Sequence, residues 1–227
     1  METPARRTRG ESAGLTRETV VAAAEAVAER GGVAKLSLRA VAAELGVSPT
    51  AIYNHVRDRD ELLDAVADAF VFRKVLRRLP RKTEPIERVR LIARRLRRAG
   101  LEHPGLLSAI VGYIPEQAPS AQMDCAELII SDLLDAGAAP DRAVVLYRAL
   151  VMLCVGDAIA YVNYSRPRAS SLADRLERHL DTERYRVLHG YLRRAAQPEG
   201  ERAFDQQLDV VLQELLPPAS APGARND

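Results

Sequence analysis

The sequence predicts an all-α fold, and three observations predict it. Apolar residues recur every three or four positions along most of the 227-residue chain, the period of a helix with one buried face. No segment alternates apolar and polar residues in the manner of a half-buried strand, and no internal repeat is visible. Near the amino end, Thr16, Ser37, Ser48 and Asp58 each stand where a helix would start, with an apolar period following.

Residues 1–14 carry Arg6, Arg7 and Arg9 among Pro4, Gly10, Ser12 and Gly14. This basic arm is either a solvated terminus or a segment that follows a phosphate backbone or minor groove. Thr16 then caps the first helix. Leu15 and Val20 have the spacing of a hydrophobic staple across that cap, Val20, Ala23, Ala24, Val27 and Ala28 share one face, and Gly31-Gly32 stops the helix.

Ser37 caps the second helix, Leu38–Leu45, with Leu36 and Val41 as its staple. Gly46 follows as the residue able to take the positive φ that ends a helix. Ser48 at once caps a third helix, with Pro49 at the first helical position and Val47 and Ile52 as its staple, and that helix is expected to reach Val56. Helix, short turn with Gly, helix is the helix-turn-helix arrangement, whose second member enters a DNA major groove. On that member Val47, Ile52 and Val56 share one side, while Thr50, Tyr53 and Asn54 point the other way and offer hydroxyl and amide groups to base edges and phosphates. Asp58 with Glu61 forms a variant of the capping box and opens a fourth helix, expected to run to about Leu79. Arg59 in its first turn opposes the helix dipole, which suits either a phosphate contact or a solvated cation.

The remainder reads as helices too. Ile86, Val89, Ile92, Leu96 and Ala99 recur at helical spacing, with arginines on the other face. Helices are expected from Leu106 to about Ile114, from Met123 to Leu134, from Arg142 to about Asn163, as one or two segments in 172–195, and from Glu201 to Leu216; Pro217-Pro218 halts the last. The expected organisation is a flexible basic arm (1–14), a three-helix domain with the helix-turn-helix (15–62), a larger helical domain (63–216) and a disordered tail (217–227).

Composition narrows the function classes. Net charge is only +2, but residues 73–98 hold twelve Arg or Lys against Glu84 and Glu87, a run read as a solvated face in preference to a DNA site. Cys125 and Cys154 have no metal or redox spacing and fit buried thiols in a reducing compartment. The start lacks the apolar core of a signal peptide, and the apolar run Ala149–Gly156 is shorter than the ~20 residues a bilayer span requires, so a soluble cytoplasmic protein without a membrane partner is expected. His55, His103, His179 and His189 show no ligand spacing, and there is no phosphate loop or nucleophile elbow, so neither an enzyme, a metal nor a cofactor is expected. Asp157 lies one helical turn before Tyr161 in an apolar helix, as a ligand-orienting pair or a satisfied core polar group.

Thr16 to Leu63 resembles the DNA-binding domain of the TetR family of bacterial regulators. The residues that carry the resemblance are Leu36-Ser37-Leu38-Arg39-Ala40-Val41-Ala42-Ala43-Glu44-Leu45-Gly46-Val47-Ser48-Pro49-Thr50-Ala51-Ile52-Tyr53-Asn54-His55-Val56, then Arg57-Asp58-Arg59-Asp60-Glu61-Leu62-Leu63, within about 50 of the 227 residues. Arg59 stands where the family usually has lysine, and the charge survives. The resemblance implies a homodimeric, ligand-gated transcriptional repressor on a palindromic double-stranded DNA operator, released by a small-molecule effector bound in a carboxy-terminal ligand-binding and dimerisation domain. On that reading Thr50, Tyr53 and Asn54 meet bases or nearby phosphates at a helix begun by Ser48 and Pro49, and Ser37, Arg39, His55 and Arg59 hold phosphates. Tyr113, Met123, Tyr147, Met152, Asp157 and Tyr161 are the candidate effector contacts, because Met and Tyr adapt to a mixed apolar pocket. The alternative is an all-α small-molecule-binding protein or enzyme whose first helices only pack.

Overall fold

The computed structural model describes residues 14–80, 82–106, 119–164, 180–195 and 200–215. The expected helix from Leu106 to Ile114 (Tyr113 with it), the loop at 166–171, the basic arm and the tail fall wholly or mostly outside them. The described residues are helical: α1 (Arg17–Gly31), α2 (Leu38–Leu45), α3 (Pro49–Tyr53), α4 (Arg59–Val71), α5 (Pro85–Glu102), α6 (Ala121–Asp135), α7 (Pro140–Tyr164), α8 (Arg186–Ala195) and α9 (Glu201–Leu215), with a single 3₁₀ turn at Val33–Lys35 and a π turn at Phe72–Leu76 among them. We call α1–α3 with the start of α4 the head, and α5 onward the body.

The head forms where its local signals lie. Thr16 accepts from the Thr19 N–H and Thr19 returns the bond, a full capping box; Ser37, Ser48 and Asp58 each accept from the N–H three residues on. Gly46 ends α2 at φ 66°, where a side chain would be strained. Leu36, Val41 and Ile52 are buried, and Leu15 and Val47 pack against the same core, so each staple closes over its cap. That core runs without a break from Val20, Val41 and Leu62 in the head to Ile92, Leu133, Leu146, Phe204 and Leu208 in the body.

Four expectations need correction. The third helix stops at Tyr53, not Val56. The carbonyl of His55, which would carry the helix on, instead accepts from Arg17 Nη1 at 2.9 Å, and His55 N–H bonds the Ile52 carbonyl three residues back. The fourth helix does not reach Leu79: α4 ends at Val71 and passes into the π turn, and the chain leaves helical geometry at Arg77.

The basic run is a solvated face only in part: Arg77, Arg78 and Lys82 are exposed, but many of its cations are paired. On the described residues Arg73 pairs with Glu25, Arg88 with Asp132, Arg90 with Asp209, Arg94 with Asp205 and Arg97 with Asp157, while Lys74 and Arg98 meet Glu102. Arg90 and Arg94 are four apart on α5, as Asp205 and Asp209 are on α9, so the two helices pair antiparallel through matched rungs. Finally, the apolar run of α7 is longer than eight residues. Pro140–Tyr161 is long and apolar enough to cross a membrane, with mean hydropathy 1.9, but one face packs on α5, α6 and α9. Cys125 and Cys154 are free and buried, and burial pushes both thiols up to about 12.

Candidate nucleic-acid interface

α3 is held from behind and open in front. Ile52 and Val56 are fully buried and fix it to the head's core, whereas Thr50, Tyr53 and Asn54 are exposed, Tyr53 to 58%. A large aromatic side chain left that exposed on a short, anchored helix offers a flat apolar surface and a hydroxyl together. Ser48 and Pro49, at its start, are exposed, as is Arg39 in the first turn of α2. Ser37 is half-buried; its oxygen accepts from Ala40 N–H at 3.1 Å, which leaves the hydroxyl proton to donate outward. His55 is half-buried in the turn that follows α3.

The structure places Arg59 differently from a plain surface cation. Nε donates to the Leu36 carbonyl at 2.9 Å and Nη2 to the Val33 carbonyl at 3.0 Å, and Nη1 lies 3.9 Å from Asp60. Arg59 thereby ties the start of α4 to the link between α1 and α2. Its fork takes the Leu36 carbonyl at the end of the 3₁₀ turn and adds a second donor to the Val33 carbonyl, which already accepts from Leu36 N–H.

A second clamp was not foreseen as a unit. Glu61 is buried at the start of α4; one oxygen accepts from Arg17 Nη1 at 2.8 Å, and the other from Arg57 N–H at 2.8 Å and Arg57 Nε at 3.0 Å. Arg17 Nη1 also reaches the His55 carbonyl, so one guanidinium joins α1, the end of the recognition segment and α4. The Asp58-x-x-Glu61 spacing signalled the cap, and Asp58 accepts from Glu61 N–H at 2.8 Å. The i, i+4 pair Arg57–Glu61 was a further visible sign.

Arg17, and with it Arg57, holds the Glu61 carboxyl down to about 2, against 4.5 for a free one. The folded value is depressed, so this contribution is complete above the ordinary carboxylate range and disappears as pH falls toward 2. Glu61→Gln is therefore expected to cost the head about 1–3 kcal/mol at pH 7 and to flatten its stability between pH 4.5 and 2. Urea melts of both proteins at neutral and acid pH check this; parallel pH profiles would refute it.

Among the described residues the candidate effector contacts do not form one cluster, and Tyr113 lies outside those residues. Met152 and Asp157 line a cleft of about 330 Å³ between α7 and α9, with Leu153, Gly156, Ala160 and Gln207. Asp157 also pairs with Arg97, and the Arg97 guanidinium lies 5.7 Å from the Tyr161 ring centroid and 5.1 Å from that of Phe204. Arg97 is 6% exposed and is what draws Asp157 and Tyr161 together. Tyr147 is half-buried, and burial raises its hydroxyl above its ordinary value. Met123, at the start of α6, is exposed and outside the cleft.

Residues 20–66 match the model of a family described as bacterial regulatory proteins, tetR family. An HTH-type transcriptional regulator of Saccharopolyspora erythraea is 37% identical over 125 residues, 54% of this chain and 51% of that protein. The HTH-type transcriptional repressor DrrR1 of Streptomyces coeruleorubidus is 42% identical over 67 residues, 30% of this chain and 25% of that protein. The chain thus spans about half the length of the first curated relative and a quarter of the second. Over the whole fold, the Streptomyces coelicolor TetR family protein ActR in complex with actinorhodin superposes with a TM-score of 0.75 at 26% identity, covering 90% of this chain and 98% of that one.

Proposed function

We propose that this chain is a TetR-family transcriptional regulator of bacteria, a cytoplasmic, homodimeric repressor and not an enzyme; the family-model match and the likeness to ActR support this. Residues 15–62 are its reading head and 63–216 its ligand-binding and dimerisation domain, with α4 shared between them. Each subunit lays α3 in a major groove of a palindromic operator, the two copies about 34–36 Å apart, one turn of DNA. The observation that carries the reading is the division of α3 and the turn after it: Ile52 and Val56 buried, Thr50, Tyr53 and Asn54 exposed. Arg39, Ser37 and His55 flank that face as phosphate contacts, with Ser48 and Pro49 setting the approach of the helix start. Arg59 contributes chiefly by holding α4 against the link that precedes α2.

A small molecule bound in the body lowers DNA affinity by moving α4. The likeness to ActR, itself seen with actinorhodin, supports an effector of this kind. The cleft beside Asp157, with Met152 on its rim, is the effector contact best supported by geometry. Release requires the effector to favour one state over the other by several kcal/mol.

The test uses a duplex that the protein itself selects from a random pool. Tyr53→Ala is expected to weaken binding at least tenfold, since one good base contact is worth ~1–3 kcal/mol. Thermal stability should stay unchanged, because the side chain is mostly solvated. Arg39→Ala should weaken binding to all duplexes alike and reduce the slope of log affinity against log salt by about one. Wild-type affinity for Tyr53→Ala, or selection of no duplex at all, would overturn the reading.

A further inference from the structure

The joint between head and body is built from an unusual winding. α4 runs straight into the π turn Phe72–Leu76, closed by Arg77 N–H on the Phe72 carbonyl at 2.8 Å, five residues back. Beyond it Arg78 sits at φ 58°, a left-handed conformation that a residue with a side chain rarely takes. An isolated π turn fits one more residue into the helix than an α turn would and is found mostly at working sites.

The neighbours of the turn divide cleanly. Arg73 reaches back to Glu25 on α1, in the head. Lys74, the next residue, reaches Glu102 on α5, in the body, at 3.2 Å. Arg95 of α5 grips the end of the turn: Nη1 donates to the carbonyls of Val75 at 2.8 Å and Arg77 at 3.0 Å, and Nη2 to that of Arg78 at 3.4 Å. Val75 is fully buried, so the turn is pinned to the core at its centre. A single guanidinium therefore satisfies the carbonyls that this winding and the left-handed residue leave without helical partners.

We propose that the π turn is the element through which the body sets the position of the head, and that Arg95 is the positioning residue that selects its winding. With Arg95 in place the extra residue stays in the turn. When α5 shifts and the guanidinium withdraws, the left-handed Arg78 and the orphaned carbonyls favour rewinding to an α turn. Rewinding moves α4 relative to its anchor by about one residue, ~1.5 Å along the axis and ~100° about it. Arg73 carries that change to α1. This proposal rests on the regulator reading, and it adds to it a specific bistable element and the residue that biases it.

The experiment uses the full chain and the duplex selected from a random pool. Arg95→Met keeps an unbranched apolar stem and removes all three bonds. It is expected to raise hydrogen exchange of the amides from Leu76 to Leu79 at least tenfold and to weaken operator binding at least tenfold, with α2 and α3 as protected as in wild type. Arg78→Gly removes the left-handed strain at an exposed position, and should slow exchange of the same amides at least threefold; it keeps the proposal testable if Arg95→Met fails to fold. Unchanged exchange in both variants, or faster exchange in Arg95→Met with operator affinity within twofold of wild type, would overturn it. Failure of the regulator reading looks different: the wild type would select no duplex.

Discussion

Replacing Asp132 by Ala is expected to destabilise the body by about 3–5 kcal/mol, the cost of leaving a buried charge without its partner. Asp132 is 1% exposed, in the interior-facing side of α6. Its two oxygens take both arms of the Arg88 fork, with Nε at 2.7 Å and Nη2 on the other oxygen. That bond raises the guanidinium still further above its ordinary value. Bidentate pairing is the geometry in which a buried pair most nearly recovers its desolvation. Without the carboxylate, Arg88 keeps its charge in a largely dehydrated position. A Tm lower by roughly 10 °C and an earlier urea midpoint are the signatures. Removing both partners, as Arg88→Met with Asp132→Leu, should restore most of the loss. A double variant no more stable than Asp132→Ala would show that the pair had been doing something other than neutralising itself.

What was legible in the sequence divides by distance along the chain. Caps and staples are decided within five residues. Thr16, Ser37, Ser48 and Asp58 announced the starts of α1 to α4 and Gly46 the end of α2, and the structure has each of those boundaries where its spacing put it. The exposed face of α3 followed from the same local period. The arginines of α5 misled because their partners are remote: Asp132 is 44 residues from Arg88, and Asp209 is 119 from Arg90. A run of cations with no nearby anions looks solvated until the fold supplies the anions. The repeated four-residue spacing, Arg90 and Arg94 against Asp205 and Asp209, was the one available hint. The π turn had no local signature, since its winding is set by Arg95 from another helix. The candidate DNA contacts were readable as a surface; the effector contacts were not, because a pocket is defined by which helices meet and not by which residues they carry. Arg97 escaped notice for that reason, although it organises Asp157 and Tyr161.

If the chain acts as the homodimeric repressor proposed above, charging the outer stripe of α7 is expected to separate the subunits and thereby to weaken operator binding by a factor on the order of 10²–10⁴. Val145, Met152 and Ile159 recur every seven residues on this helix and are exposed, Val145 to 56% and Met152 to 57%. Val144 beside them and Val210 on α9 are exposed as well. A line of apolar side chains at that spacing is the seam of a helix–helix contact. Among the described residues these side chains stay exposed, and on the proposed reading, with a palindromic target, a patch of this kind suits a second copy of the same chain. Val145→Glu with Met152→Glu places two carboxylates opposite two more across a two-fold axis, where burial would demand their desolvation. Each head would keep its own contacts, since both substituted side chains lie exposed on α7, outside the head. Binding of the second half-site, however, would no longer be intramolecular. Sedimentation should show a monomer while circular dichroism stays helical. A two-fold footprint on the duplex should shrink to weak, separate half-site protection. A variant that still sediments as a dimer would place the interface elsewhere. A monomer that binds the full operator as tightly as wild type would remove the reason for coupling the two heads.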